Sequence, residues 1–173
     1  MADRIKGNML IAQSGGPTVV INRSLVGAVM EARKHAVIRN VYGSLRGVQG
    51  ILKEDFVDLR KESPANLRKV AATPSAALGS VRKKPTAEEC GRIFEVLRAY
   101  DIRYFFYIGG NDSAETTLIV NENARKVGYE FRCFHIPKTI DNDLRGNDHT
   151  PGYGSAAKFV ACALMGDDLD NRA

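Results

Sequence analysis

Short apolar runs alternate with segments of helical periodicity along the first part of the chain. The run from Asn8 to Gln13 stops at Ser14-Gly15-Gly16-Pro17, as expected of a buried parallel strand that enters a tight turn. Between Val19 and Arg33 the apolar residues recur at helical spacing, and a second apolar run covers Ile38 to Tyr42. This order predicts a strand, a helix and a second strand, which is a βαβ unit.

The same alternation returns in the second half of the chain. Thr86 and Glu89 have the spacing of a capping box, which predicts that a helix begins there. The later elements that we predict are a helix ending at Tyr100, a strand over Arg103 to Ile108, a helix from about Ala114 to Lys126, a strand over Arg132 to Ile136 and a helix from about Tyr153 to Leu169.

The intervening segment from Gly43 to Pro85 is rich in glycine and proline, and only a helix near Asn66 to Val70 is predicted in it. Repeated strand-loop-helix units predict an α/β fold: a doubly wound, Rossmann-like parallel sheet with helices on both faces. A chain of 173 residues is of the right length for one such domain.

The composition excludes some classes of protein but does not indicate a function. No apolar run reaches the roughly 20 residues of a membrane span, so we expect a cytoplasmic protein with no membrane partner. The net charge of +5 is compatible with nucleic acid, acidic lipid or a small polyanion, and does not choose among them. The basic run Ser80 to Pro85 is interpreted as a solvated loop. The odd number of cysteines, three, favours reduced thiols, and no histidine is assigned a catalytic role.

Two glycine-rich loops follow predicted strands, where ligands bind in parallel sheets. Gly15-Gly16 and Gly109-Gly110 each precede a helix, so their backbone N–H groups are able to approach an oxyanion. The alternatives are a plain turn at Gly15-Gly16 and a helix-capping role for Asp112 or Ser113.

The loop from Pro137 to Asp143 carries the most chemistry. Two carboxylates, Asp141 and Asp143, flank an amide, and Lys138 and Thr139 stand just before them. Phosphoryl transfer needs such a set: a carboxylate that takes a proton, carboxylates that hold Mg²⁺, and cations that offset phosphate charge. The alternative is a solvated acidic turn.

Four segments together resemble the phosphofructokinase family in order and spacing, and the resemblance runs through nearly the whole chain. These segments are Ser14-Gly15-Gly16, Leu78-Gly79-Ser80-Val81-Arg82, Ile108-Gly109-Gly110-Asn111-Asp112-Ser113 and Pro137-Lys138-Thr139-Ile140-Asp141-Asn142-Asp143. The Thr-Ile-Asp-Asn-Asp segment is highly specific to that family.

The resemblance implies a role for each matching residue. Asp141 is the general base for the 1-hydroxyl of fructose 6-phosphate, and Lys138 is the second residue assigned to catalysis. The implied donor-binding residues are Gly15, Gly16, Arg82, Gly110 and Asp112. The implied sugar-phosphate residues are Thr139, Asp141 and Asp143, and the implied Mg²⁺ ligands are Asp112 and Asp143.

Two positions of the resemblance concern the phosphoryl donor. Asp112 and Lys138 stand where ATP-using members commonly have glycine, and the carboxylate puts bulk and negative charge where an ATP α-phosphate would pass. This pair resembles the pyrophosphate-dependent branch of the family. Asn111 replaces an aspartate that helps with Mg²⁺ in ATP-using relatives, so we expect the metal to depend on Asp143, with Asp112 contributing.

The family's members are considerably longer than 173 residues. We therefore expect residues 1–173 to be an N-terminal phosphoryl-donor-binding domain, truncated before the rest of the sugar-phosphate-binding domain and inactive alone. The expected whole protein transfers phosphate reversibly from pyrophosphate to fructose 6-phosphate, binds no nucleic acid and forms a homo-oligomer. The alternatives are an ATP-dependent 6-phosphofructokinase and a non-catalytic phosphate-binding fragment.

Overall fold

A computed structural model describes residues 5–173 of the chain. Strands and helices alternate through most of it, as the hydrophobic pattern predicts. The elements are β1 (Gly7–Gln13), α1 (Ile21–Ala32), β2 (Ile38–Ser44), α2 (Val48–Lys53), β3 (Phe56–Asp58), α3 (Pro64–Ala72), α4 (Ala87–Ala99), β4 (Ile102–Gly109), α5 (Asn111–Lys126), β5 (Arg132–Pro137) and α6 (Tyr153–Asn171).

The strands form one five-stranded sheet in the order β3-β2-β1-β4-β5. Strands β2, β1, β4 and β5 are parallel, which confirms the doubly wound α/β prediction for the centre of the sheet. The edge strand β3 is antiparallel to β2, with Tyr42 opposite Asp58 and Ser44 opposite Phe56, so the sheet is mixed rather than wholly parallel. The connection from β2 to β3 contains one short element, the six-residue α2. Two parallel strands usually need a longer connection, so β3 pairs with β2 in the antiparallel direction.

Helices cover both faces of the sheet, because alternate residues of the central strand point to opposite sides. Met9 and Ile11 of β1 pack with α1 and α3 on one face. Leu10 and Ala12 pack with α2, α4 and α5 on the other face. Every residue of β1 is buried, as a continuous apolar run predicts for a central parallel strand.

Most predicted elements are confirmed within a few residues, including the capping box between Thr86 and Glu89 at the start of α4. Helix α2 and strand β3 were not predicted. Helix α5 begins at Asn111 rather than near Ala114. This earlier start places Asp112 in the first helical turn, where backbone N–H groups are free of helical partners.

Helix α6 is present as predicted but buries none of its residues. Its exposed apolar side chains include Phe159, Leu164 and Met165. Within residues 5–173, no helix is both long enough and apolar enough to cross a membrane. The three cysteines are free thiols, as expected.

Candidate active site

A cavity of about 360 Å³ opens at the carboxyl ends of the parallel strands. The loops that follow β1, β4 and β5 form three of its walls, and the basic segment over 82–84 forms another. Neighbouring parallel strands end at the same sheet edge, so loops far apart in the sequence meet there. The cavity is the place where the predicted phosphate chemistry would occur.

The first glycine loop is fixed by backbone hydrogen bonds to two neighbouring segments. The N–H of Ser14 donates to the carbonyl of Ile108 at 2.9 Å, and the N–H of Gly15 donates to the carbonyl of Val81 at 3.1 Å. Gly15 has φ +74°, where a residue with a side chain is strained, and an added Cβ would lie 3.1 Å from Nζ of Lys138. Glycine is therefore required for both conformation and space.

Two cations converge on this glycine loop. Lys138 is buried, with 6% of its surface exposed, and Nη2 of Arg82 would lie 3.3 Å from a Cβ added to Gly16. Within the part of the chain that the structure describes, neither cation forms an ion pair with a carboxylate. Two unpaired cations around one cavity favour binding of a small polyanion.

Burial lowers the pKa of Lys138, and the positive charge of Arg82 lowers it further, whereas the carboxylate of Asp141 opposes both effects. The lowered pKa means that the surroundings disfavour the charged form. A bound anion would reverse this by supplying the missing negative charge. The surroundings of the ammonium therefore favour the approach of an anion.

The other basic residues of the segment are paired. Lys83 pairs with Glu89 of α4, and Lys84 contacts Glu115 at 2.7 Å and Asp112 at 3.6 Å. Both lysines line the cavity. The structure has no helix or strand over Ser80 to Pro85, and Arg82 and Lys84 are exposed, which agrees with the interpretation of the segment as a loop. Ion pairs also attach the segment to α4 and α5, which the local sequence did not indicate.

The amino end of α5 forms the wall opposite the glycine loop. Its N-cap, Gly110, offers no side chain, and the N–H of Asp112 donates to Oδ1 of Asn111 at 2.9 Å. Nδ2 of Asn111 donates to Oδ2 of Asp143 at 2.9 Å. Asn111 thus connects the α5 terminus to the acidic loop after β5.

Asp141 presents its carboxylate at the cavity from the loop after β5. Its N–H donates to Oγ1 of Thr139 at 3.1 Å, and that hydroxyl lies 3.2 Å from Oδ2 of Asp141. Thr139 is buried, whereas Asp141 is exposed. An exposed carboxylate that lines the same cavity as two cations is placed where it is able to accept a proton from a bound hydroxyl group.

The two predicted Mg²⁺ ligands do not form a metal cluster by themselves. Residues 5–173 contain no group of three or more histidine, cysteine, aspartate or glutamate side chains arranged to hold a metal ion. Asp112 lines the cavity and Asp143 does not, although Asn111 lies between them. Their assignment as metal ligands stays a prediction.

The structure brings most of the predicted site residues to one cavity. Those lining it are Gly15, Gly16, Arg82, Gly110, Asp112, Lys138, Thr139 and Asp141. Asp143 lies outside the lining, one hydrogen bond from Asn111. His135, to which the sequence assigns no catalytic role, lies behind the second glycine loop, with its Nε2 3.0 Å from the carbonyl of Gly109. Burial is the main influence on its imidazole and lowers the pKa, so the neutral ring supports the second glycine loop.

Comparison with known proteins gives a consistent result. Residues 8–168 match the family described as Phosphofructokinase. A Rhodospirillum rubrum protein named Pyrophosphate--fructose 6-phosphate 1-phosphotransferase is 59% identical over 97% of this chain and 42% of its own length. A protein of Cytophaga hutchinsonii named ATP-dependent 6-phosphofructokinase is 30% identical over 87% of this chain and 44% of its own length.

Among solved structures, a pyrophosphate-dependent phosphofructokinase from Nitrosospira multiformis superposes with a TM-score of 0.91 at 44% identity, over 94% of this chain and 41% of that chain. The chain thus spans less than half the length of these relatives. The likeness nevertheless covers nearly all of this chain and therefore includes its α/β sheet. With its family match extending from β1 into α6, the chain belongs to the phosphofructokinase family.

Proposed function

We propose that the protein containing this chain transfers a phosphoryl group from pyrophosphate to the 1-hydroxyl of fructose 6-phosphate, reversibly, and that this chain binds the donor and supplies the base. The observation that carries the proposal is the buried Lys138, which within residues 5–173 pairs with no carboxylate and which lines one cavity together with Arg82 and Asp141. Relatives named for this reaction are 43–59% identical to the chain.

In the donor site, Lys138 and Arg82 neutralise the pyrophosphate oxygens, and the backbone of Gly15-Gly16 and the amino end of α5 add N–H donors. A compact donor suits this arrangement because the cations lie close to the glycine loop rather than along an extended groove. Charge-assisted hydrogen bonds of this kind are about twice as strong as neutral ones.

In the transfer step, the 1-hydroxyl oxygen of the sugar phosphate attacks the terminal phosphorus of pyrophosphate. The bond between that phosphorus and the bridging oxygen breaks, and orthophosphate leaves. Asp141 accepts the proton of the attacking hydroxyl, and Lys138 and Arg82 offset the charge that develops on the leaving group. Thr139 contacts both the base and the sugar phosphate.

The carboxylates near the cavity fit Mg²⁺, which proteins commonly hold with one or two carboxylates while the substrate phosphates supply further ligands. Asp143 and Asp112, on either side of Asn111, would hold it. When bound, the ion supplies positive charge to the phosphoryl oxygens. The proposal for the whole protein also includes a cytoplasmic location and homo-oligomeric assembly, in line with the family resemblance.

Pyrophosphate is preferred over ATP in this proposal because of Asp112. Its carboxylate lies in the first turn of α5 and lines the cavity, with 76% of its side chain exposed. The α-phosphate and nucleoside of ATP would have to pass this negative charge. The lower identity to the ATP-dependent relative, 30%, supports the same choice.

The test is an assay of fructose 1,6-bisphosphate formation by the full-length protein, with pyrophosphate and ATP supplied separately. We expect turnover with pyrophosphate only, and a loss of about a hundredfold or more in kcat for Asp141→Asn, since general-base catalysis contributes roughly 10²–10⁴-fold. The matched control is Glu122→Gln, an exposed carboxylate on α5 outside the cavity. Unchanged turnover in Asp141→Asn would exclude Asp141 as the general base. Turnover with ATP but not with pyrophosphate would exclude pyrophosphate as the donor.

The 173-residue chain supplies a second test. We propose that it binds pyrophosphate through the cavity but forms no fructose 1,6-bisphosphate by itself. Calorimetry with pyrophosphate and the same assay measure the two properties separately. Formation of fructose 1,6-bisphosphate by the 173-residue chain alone would contradict the proposal that this chain supplies only the donor site and the base. Absence of pyrophosphate binding would contradict the proposed donor site.

A further inference from the structure

The loop between β5 and α6 is closed by the side chain of Asn142. Oδ1 of Asn142 accepts a hydrogen bond from the N–H of Thr150 at 2.8 Å. Nδ2 of the same residue donates to the carbonyl of Asp148 at 3.2 Å. One amide group therefore holds together two points of the chain that are eight residues apart.

A second, buried hydrogen bond ties the end of this loop to its beginning. Oγ1 of Thr150 donates to the carbonyl of Thr139 at 2.7 Å. Only 2% of the surface of Thr150 and 5% of that of Thr139 is exposed. Because water does not reach this pair, breaking the bond leaves a buried carbonyl without a partner, which is costly.

The backbone of the loop also packs on itself. A Cβ added to Gly152 would lie 2.6 Å from the carbonyl oxygen of Lys138 and 3.0 Å from that of Thr139, so only glycine fits. Asn142 has φ 54°, a left-handed conformation that asparagine adopts more readily than most residues. These contacts restrict the backbone of the loop to one conformation.

Asp141 lies between these two attachments. Among residues 5–173, its own hydrogen bonds reach only Thr139, two residues before it. The direction of its carboxylate therefore depends on the backbone, which Thr150 holds through Thr139 on one side and Asn142 holds on the other. A reacting group needs this support, because a displacement of about 1 Å is enough to cost about a hundredfold in rate.

We propose that Asn142 and Thr150 are positioning residues that orient the Asp141 base toward the acceptor hydroxyl. We call their three hydrogen bonds the loop clasp. The inference rests on the proposed function, since it presumes that Asp141 accepts a proton. It assigns to the clasp an effect on the transfer step rather than on the binding of pyrophosphate, because none of its three hydrogen bonds is made by Lys138 or Arg82.

The experiment compares Thr150→Val with Thr150→Ser in the full-length protein. Valine has the shape of threonine but cannot donate to the carbonyl of Thr139, whereas serine retains the hydroxyl. We expect Thr150→Val to lower kcat by about 10–100-fold and to change the KM for pyrophosphate by less than about threefold. Thr150→Ser should restore kcat to near the wild-type value, which a loss of packing alone would not predict.

Asn142→Gly is the second variant, and it decides the matter if Thr150→Val does not fold. Glycine accepts the left-handed conformation of position 142 but removes both side-chain hydrogen bonds. The same selective loss of kcat is expected, with thermal unfolding recorded for every variant. If both variants fail to fold, the residues serve folding and the proposal is overturned.

The remaining outcomes distinguish failure of the loop clasp from failure of the proposed function. A folded Thr150→Val protein with wild-type kcat, or with kcat and the KM for pyrophosphate changed alike, overturns the loop clasp while the proposed function stands. Failure of Thr150→Ser to restore kcat also overturns it. A wild-type protein without pyrophosphate-dependent turnover overturns the proposed function itself and, with it, the inference that depends on it.

Discussion

At the scale of single residues, Lys138 combines its proposed role in donor binding with a cost in stability. Burial lowers its pKa below the ordinary value of 10.5. In the pH range between the lowered pKa and 10.5, the unfolded chain binds the proton and the folded chain does not, so stability rises with pH there. At neutral pH the charged ammonium is therefore unfavourable in the folded protein.

We predict that Lys138→Met raises the unfolding temperature at pH 7 and weakens pyrophosphate binding by about 10–100-fold, the range expected for losing a charged hydrogen-bonding group. The stability difference from wild type should shrink as the pH approaches 10.5. Calorimetric unfolding with and without pyrophosphate measures both effects. Lys69→Met, at an exposed lysine of α3, is the control, and lower stability of Lys138→Met at pH 7 would contradict the argument.

Sequence reasoning found the residues that touch the cavity better than those that support them. Asp141 and Lys138 were predicted because the family resemblance marks them and because their charges suit phosphate chemistry. Thr150 was not, since a threonine that bonds a backbone carbonyl leaves no pattern in a single sequence. Such contacts depend on how loops fold back, which hydrophobic periodicity does not encode.

At the scale of elements, strong periodicity and capping made most boundaries predictable. Helix α2 and strand β3 escaped prediction because six and three residues are too few to establish a period. Strand β3 also owes its place to pairing with β2 rather than to its own sequence. The capping box of α4 shows the opposite case, in which local chemistry alone fixes the start of a helix.

We predict that Thr86→Ala destabilises the protein by about 1 kcal/mol, the usual effect of losing an N-cap side chain. Oγ1 of Thr86 accepts from the N–H of Glu89 at 3.2 Å, and the Glu89 carboxylate accepts from the N–H of Thr86 at 3.0 Å. Chemical denaturation measures the change. Thr86→Ser, which keeps the hydroxyl, should stay close to wild type; equal loss in both variants would show that the methyl group matters instead.

At the scale of the whole molecule, the sheet order creates the site. Strand β1 lies between β2 and β4, and β5 follows β4. The loops that begin at Ser14, Gly110 and Lys138 therefore meet at one edge although more than a hundred residues separate the first from the last. In the proposed function, donor choice is consequently shared between α5, which carries Asp112, and the loop after β5, which carries Lys138.

Because donor choice is proposed to depend on both residues, we predict that Asp112→Gly combined with Lys138→Gly in the full-length protein admits ATP and weakens pyrophosphate binding. The first change removes bulk and negative charge at the amino end of α5, and the second removes the cation that suits a compact donor. Competition of ATP against pyrophosphate measures the change. Glu115→Gln is the matched control, because it removes a charge that pairs with Lys84 without opening space beside Asp112. Continued exclusion of ATP by the double variant would mean that residues outside this cavity edge choose the donor.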